Sequence, residues 1–408
     1  MCRECKESYP LERITICEQC LAPLDAEYEL GSLTIARTSF ESRVKSIWRY
    51  SELLPILDKS HCIELGVGLT PLVRASNLGN SIGSSKLYLK NDTLNPTLSF
   101  KDRPAEVAVS KALEFGDRVV SCVSTGNLAA AVAAHAAKAR LEAYVLAPFD
   151  IEPEKISQIL AYGAKVISVS GTYDDANRLA TLASYELGWN VVNVTSRPYY
   201  VEGSKTIAFE LCEQFDWNPP DNVIIPVASG ALLRAIHRGF EQFRDLDLID
   251  KVPRLFGAQA EGCSPIAAAY KEGVSTLKPV EAPKTIAKSI AIGDPADGRY
   301  VLETVRQTSG SVEAVSDSEI LAAIVELGRS EGVFVEPAGG VAVAAARKLI
   351  HEGIIHRDDT TVCCITGNGL KTPELVLDEP SVGRPVTISP DLEALKEQLK
   401  GRSPLLHA

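Results

Sequence analysis

The sequence predicts an α/β protein of two lobes, each a doubly wound parallel sheet, preceded by a small cysteine-paired segment. Three observations carry that expectation. Short β-branched runs alternate with longer helical ones from about residue 85 onward, two Cys-x-x-Cys pairs fall within the first twenty residues, and 408 residues give ample chain for a large core and a cleft between domains. With 45% hydrophobic and 23% charged residues, the balance is that of an ordinary globular protein.

Residues 1–30 read as a zinc-ribbon-like unit. Cys2 and Cys5 make one pair and Cys17 and Cys20 the other, and each tight knuckle points two thiolates at one tetrahedral centre. So short a segment cannot hold itself together by burial alone. Zinc is one reading and four reduced thiols in a metal-free ribbon the other. Residues 31–95 and 196–380 are expected to form the large domain, 96–195 the small one, and 381–408 a linker and terminal helix. Expected strands are 86–90, 119–123, 143–147, 165–169, 191–194, 223–227, 255–259 and 361–365. Expected helices are 104–115, 127–139, 153–162, 174–187, 204–215, 232–243, 317–328 and 339–351, with Gly- and Pro-rich loops at about 278–299 and 378–390.

Charge and pattern exclude several functions. Lys plus Arg number 42 and Asp plus Glu 53, a net charge of −11, so the summed field repels phosphate backbones and anionic lipid, and no nucleic acid is expected as a partner. No run approaches the roughly 18 apolar residues that span a bilayer, and the start lacks an apolar signal segment, so no membrane is expected and a cytoplasmic location is. Neither Gly-x-Gly-x-x-Gly nor a P-loop occurs, and the six histidines show no metal or triad spacing.

Three loops remain, each just past the carboxyl end of an expected strand, where doubly wound folds place ligands. In Asn95 to Arg103, Lys101 lies between Phe100 and a helix start, where desolvation and the positive helix end both favour a neutral, nucleophilic amine. A solvated lysine in an N-terminal turn is the plain alternative. Ser124, Thr125, Gly126 and Asn127 open a helix, either as a carboxylate receptor or simply as its cap. Ala228, Ser229, Gly230, Ala231 and Leu232 are small enough for backbone amides to converge on a phosphate. An amine nucleophile, a carboxylate receptor and a phosphate cradle together are what a pyridoxal phosphate enzyme acting on an amino acid requires.

The chain also resembles the threonine synthases of the fold-type II pyridoxal phosphate family, built like tryptophan synthase β, over nearly its whole length. Matching stretches are the paired cysteines, Trp48-Arg49-Tyr50, Gly68 to Leu72, Asn95 to Arg103, Ser124 to Asn127, Glu202 to Thr206, Gln259 to Gly262 and Thr366 to Lys371. The resemblance implies that Lys101 is the Schiff-base lysine and acid–base, that Asn127 meets the cofactor's ring hydroxyl, and that Ala228 to Leu232 hold its phosphate. It further implies Thr366 against the pyridine nitrogen, and Ser124 and Thr125 on the substrate carboxylate. The substrate is then a small amino-acid phosphate, O-phospho-L-homoserine, and a homodimer is expected. Leu98 and Pro104 stand where glycines are usual, Asn368 where histidine is frequent, and Tyr200 where many members carry an arginine that meets the substrate phosphate; Arg197 and Lys205 are the nearest substitutes. A sibling dehydratase or β-replacement synthase is the alternative within the family, and a non-catalytic ribbon protein the alternative outside it.

Overall fold

The computed structural model describes residues 1–124, 126–148, 153–171, 173–193, 198–377, 379 and 381–400. Met1–Thr372 form one compact unit and Pro373–Ala408 another. The strands in chain order are β1 Leu72–Arg74, β2 Leu87–Asn91, β3 Val119–Val123, β4 Glu142–Pro148, β5 Lys165–Val169, β6 Asn190–Val191, β7 Asn222–Pro226, β8 Arg254–Ala260, β9 Val312–Val315 and β10 Thr361–Ile365. The helices are α1 Ser76–Ile82, α2 Asp102–Glu114, α3 Asn127–Ala139, α4 Pro153–Ala161, α5 Tyr173–Leu187, α6 Tyr199–Glu202, α7 Thr206–Gln214, α8 Ala231–Asp245, α9 Pro265–Glu272, α10 Gly298–Gln307, α11 Asp317–Glu331 and α12 Pro337–His351. The second unit carries α13 Glu374–Leu377 and α14 Leu392–Lys400. Among the described residues no helix is long and apolar enough to cross a membrane.

Two sheets form, one of six strands in the order β1-β2-β10-β7-β8-β9 and one of four in the order β5-β4-β3-β6. Among the described strands only β1 is antiparallel to its neighbour; the other pairings between named strands are parallel. Helices cover both faces of such a sheet, so its central strands must be apolar throughout rather than alternating. All five residues of β7 and all five of β10 are buried.

Strand order is what positions the site. From β7 the chain runs outward to β8 and β9, then returns through α12 to lay β10 on the other side of β7, next to β2. Ligands bind in the crevice where strand order reverses in this way. The loops after β2, β10 and β7 therefore open side by side along one edge of the large sheet.

Several elements depart from the expected ones. β1, β9, α1, α9 and α10 were not anticipated: β1 and β9 are three and four residues long, and Val312-Glu313-Ala314-Val315 lacks a continuous apolar run. The helix expected over 204–215 is α7 with the 3₁₀ turn Gly203–Lys205 at its start, and the short α6 precedes both. The strand expected at 191–194 is the short β6, and residue 194 lies outside the described residues. Gly298 starts α10 inside the stretch expected to be loop.

Candidate active site

Lys101 is the N-cap residue of α2, and its position is fixed by its neighbours. Asp102, fully buried, accepts from the backbone amide of Thr97 at 2.8 Å and from its hydroxyl at 2.9 Å, closing the loop into a tight turn. Burial pushes the Asp102 carboxyl up, against the downward pull of His135 and the two Thr97 donors. Arg103 is wholly buried and clamps three segments. Its guanidinium donates to Asp92 at 2.7 and 2.9 Å, to Thr70 Oγ1 at 3.1 Å, to Thr206 Oγ1 at 2.9 Å and to both oxygens of Glu210. A planar fork of donors suits these six hydrogen bonds to four residues where a lysine would not. Leu98 has φ of +66°, in the left-handed region, which is the physical reason a glycine is common there.

The amine itself meets an aromatic pair. Lys101 Nζ donates to Tyr200 Oη at 2.9 Å and lies 4.8 Å from the Phe100 ring centre. Tyr200 is buried in the small-lobe core together with Ala231, so the amine and the start of α8 share one packed wall. On the other side, Phe100 N donates to Thr366 O at 2.8 Å, Ser99 bridges Gly367, and Asn368 N donates to Leu98 O at 3.0 Å. The loop after β2 is thus stitched to the loop after β10.

Thr366 is buried, and its hydroxyl has no hydrogen-bond partner among the described residues. The backbone amides of Ala228, Ser229 and Gly230 likewise donate to no acceptor among the described residues. A buried polar group left unmade costs about 1–3 kcal/mol, a cost that a ligand would remove. A pyridine ring carrying an aldehyde and a phosphate fits these groups: a primary amine, a lone hydroxyl beneath β10 and a run of open amides at the start of α8.

Asn127 begins α3, and its side-chain amide donates to both carboxylate oxygens of Glu336 at 3.0 and 2.9 Å. Glu336, buried at the N-cap of α12, also packs against Gly367, where an added Cβ would come 2.3 Å from Glu336 Oε1. Glu336 therefore orients Asn127 toward the β10 loop, a role with no local signature in the sequence. Lys371 faces the same region; burial lowers its ammonium pKa, with Glu336 and Asp102 pulling it back up. Ser124 is half-buried and its hydroxyl accepts from Gly126 N at 3.2 Å. Thr125 and Arg197 lie outside the described residues.

Lys205 is not brought to this group. Its ammonium is fully buried, ion-paired with Glu202 and 4.0 Å from the centre of the Tyr28 ring, so the cation expected to reach the substrate is already engaged. Burial is the chief reason that its pKa falls to about 8.

At the N-terminus the sulfurs of Cys2, Cys5, Cys17 and Cys20 all lie within 4.8 Å of one another. Tetrahedral zinc with bonds of ~2.3 Å needs sulfurs about 3.8 Å apart, and Cys2–Cys20 and Cys5–Cys17 approach to 3.4 and 3.5 Å. Antiparallel bridges of Cys2 with Leu24 and of Ile16 with Pro23 hold the two knuckles face to face.

A family model for pyridoxal-phosphate dependent enzymes matches residues 63–367. The chain is 39% identical over 405 residues to a threonine synthase of Methanosarcina acetivorans, covering 98% of each sequence. It is 39% identical over 403 residues to a threonine synthase of Methanocaldococcus jannaschii, again covering 98% of each. Of solved structures, the processed threonine deaminase isoform 2 of Solanum lycopersicum aligns with a TM-score of 0.66 at 23% identity, over 77% of this chain and 84% of that one, a likeness of fold alone. Because those sequence matches run nearly end to end, through the amine, the open amides and the cysteine knuckles alike, the chain belongs to the threonine synthase family of pyridoxal-phosphate dependent enzymes.

Proposed function

We propose that the protein converts O-phospho-L-homoserine and water into L-threonine and inorganic phosphate. End-to-end similarity to threonine synthases supports the substrate. The observation that carries the chemistry is the buried Thr366 hydroxyl, without a hydrogen-bond partner among the described residues, in the same hydrogen-bonded unit as the Lys101 loop. In this reading Lys101 holds the cofactor's aldehyde carbon and Thr366 Oγ1 its ring nitrogen. Asn127, braced by Glu336, meets the ring hydroxyl, and the amides of Ala228, Ser229, Gly230, Ala231 and Leu232 take the phosphate. When bound, pyridoxal phosphate supplies an electron sink that makes the carbon-bound protons of an amino acid removable.

The chain's own residues then have distinct tasks. Ser124 and Thr125 receive the substrate carboxylate at the positive end of α3. Lys101 Nζ takes a proton from the substrate's α carbon and delivers one back, a task that needs an amine aimed at the carbon rather than into water. Tyr200 Oη does that aiming, since it is the acceptor of the Nζ hydrogen bond. A hydroxyl rather than a carboxylate at position 366 would leave the ring nitrogen of the bound cofactor largely unprotonated and so moderate the sink.

Supplying O-phosphohomoserine to the cofactor-loaded protein is expected to release threonine and phosphate in equal amounts. Release of a 2-oxoacid from serine or threonine, with no phosphate from phosphohomoserine, would assign the sibling dehydratase activity instead. The four cysteines are proposed to hold structural zinc, supported by their mutual distances and checked by elemental analysis of the purified protein. A cytoplasmic homodimer completes the proposal, with light scattering as the check on its mass.

A further inference from the structure

We infer that Arg3, carried by the first cysteine knuckle, is a positioning residue for the loop that takes the cofactor's phosphate; this rests on reading Ala228 to Leu232 as that loop. Arg3 stands between Cys2 and Cys5, and its amide donates to Pro23 O at 3.1 Å, so the knuckle fixes its backbone. Its guanidinium is almost wholly buried between two carboxylates. Nε donates to Asp25 Oδ2 at 2.8 Å and Nη1 to Asp297 Oδ1 at 2.7 Å, while Cζ lies 5.2 Å from the Tyr300 ring centre.

Asp297 in turn supports the phosphate loop in two ways. Its backbone amide donates to Ser229 O at 2.9 Å. Its side chain packs on Gly230, where an added Cβ would come 2.8 Å from Asp297 Cβ and 2.7 Å from Val301 Cγ2. Gly230 has φ of +96°, so this turn needs glycine for both its conformation and its clearance.

The consequence is electrostatic. Asp297 places a fully buried carboxylate immediately behind a loop that must accept a phosphate dianion, and like charges repel strongly away from water. Arg3 approaches that carboxylate at 2.7 Å, whereas Arg234 comes only to 3.9 Å. Arg3 thus neutralises Asp297 and holds it where its amide braces Ser229. The ribbon gains a function by this route.

The test compares affinities for pyridoxal phosphate and for pyridoxal, which lacks the phosphate, by titration of the apoprotein followed through cofactor absorbance. The wild type is expected to prefer the phosphorylated form. Arg3→Met is expected to lower affinity for pyridoxal phosphate by at least about tenfold, as for a buried charge that loses a close counter-charge, while affinity for pyridoxal stays unchanged. Arg3→Lys, which keeps the charge, should retain most of the preference, and Arg3→Met combined with Asp297→Asn should recover it. A wild-type preference that survives Arg3→Met overturns the inference, as does a double variant that recovers nothing. A wild type without any preference overturns the reading of the loop itself.

Discussion

Lys101 and Tyr200 form the smallest unit on which the proposed chemistry depends: one amine and one buried hydroxyl 2.9 Å apart. Lys101→Ala is expected to reduce turnover by about 10³-fold or more, the scale of losing an acid–base group, as measured by phosphate release. Tyr200→Phe removes the acceptor but not the ring, so kcat should fall about tenfold with cofactor affinity retained, the signature of lost aim rather than lost binding. Thr366 offers an opposite pair of effects. Its hydroxyl is buried without a partner among the described residues, so Thr366→Val should leave the apoprotein's melting temperature unchanged or raised while it weakens cofactor binding. At this scale the expected places of Lys101 and of the Ala228 to Gly230 loop rest on the recognisable strands just before them, whereas Thr366 was singled out only by the family resemblance. Glu336 could not be read from the sequence, since its partner Asn127 is 209 residues away and nothing local to Val335-Glu336-Pro337 announces it. Lys205 misled for a different reason: Glu202, three residues earlier on the same turn, removes its charge from reach, a pairing visible only once the segment is known to be helical and buried.

Among the elements, the contact of α2 with α6 sets where the Lys101 loop begins. Gly203 allows it, because a Cβ there would lie 2.0 Å from the Arg103 carbonyl oxygen. Gly203→Ala is therefore expected to cost about 1–3 kcal/mol or more through overpacking, seen as a lower denaturant midpoint, and to reduce activity by displacing Arg103. Strand positions such as β3, β5 and β10 followed directly from β-branched runs bounded by turns. Their order did not: that β10 inserts between β2 and β7 depends on α12 packing back across the sheet, a long-range choice with no local signature. The edge strands β1 and β9 were missed because edges need not be continuously apolar, and three or four residues give too little pattern to see.

For the whole molecule, the buried cluster of Arg103, Lys90, Glu210 and Asp92 joins the Lys101 loop to the core of the large lobe. Burial raises the Glu210 carboxyl pKa, but Arg103 and Lys90 outweigh it and bring it down to about 2 from an ordinary 4.5. A depressed carboxylate binds fewer protons folded than unfolded, so its contribution to stability is complete above the unfolded value and is lost as pH falls from 4.5 toward about 2. Acid unfolding should steepen in that window. Glu210→Gln should flatten it and cost about 3–5 kcal/mol at neutral pH, because two buried cations lose their counter-charge. All of these effects converge on the proposed covalent attachment point, Lys101. Its most direct measurement is borohydride reduction of the cofactor-loaded protein followed by peptide mass analysis: a pyridoxyl group on Lys101 alone is the expected result, and an adduct on another lysine, or none, would contradict the site described above.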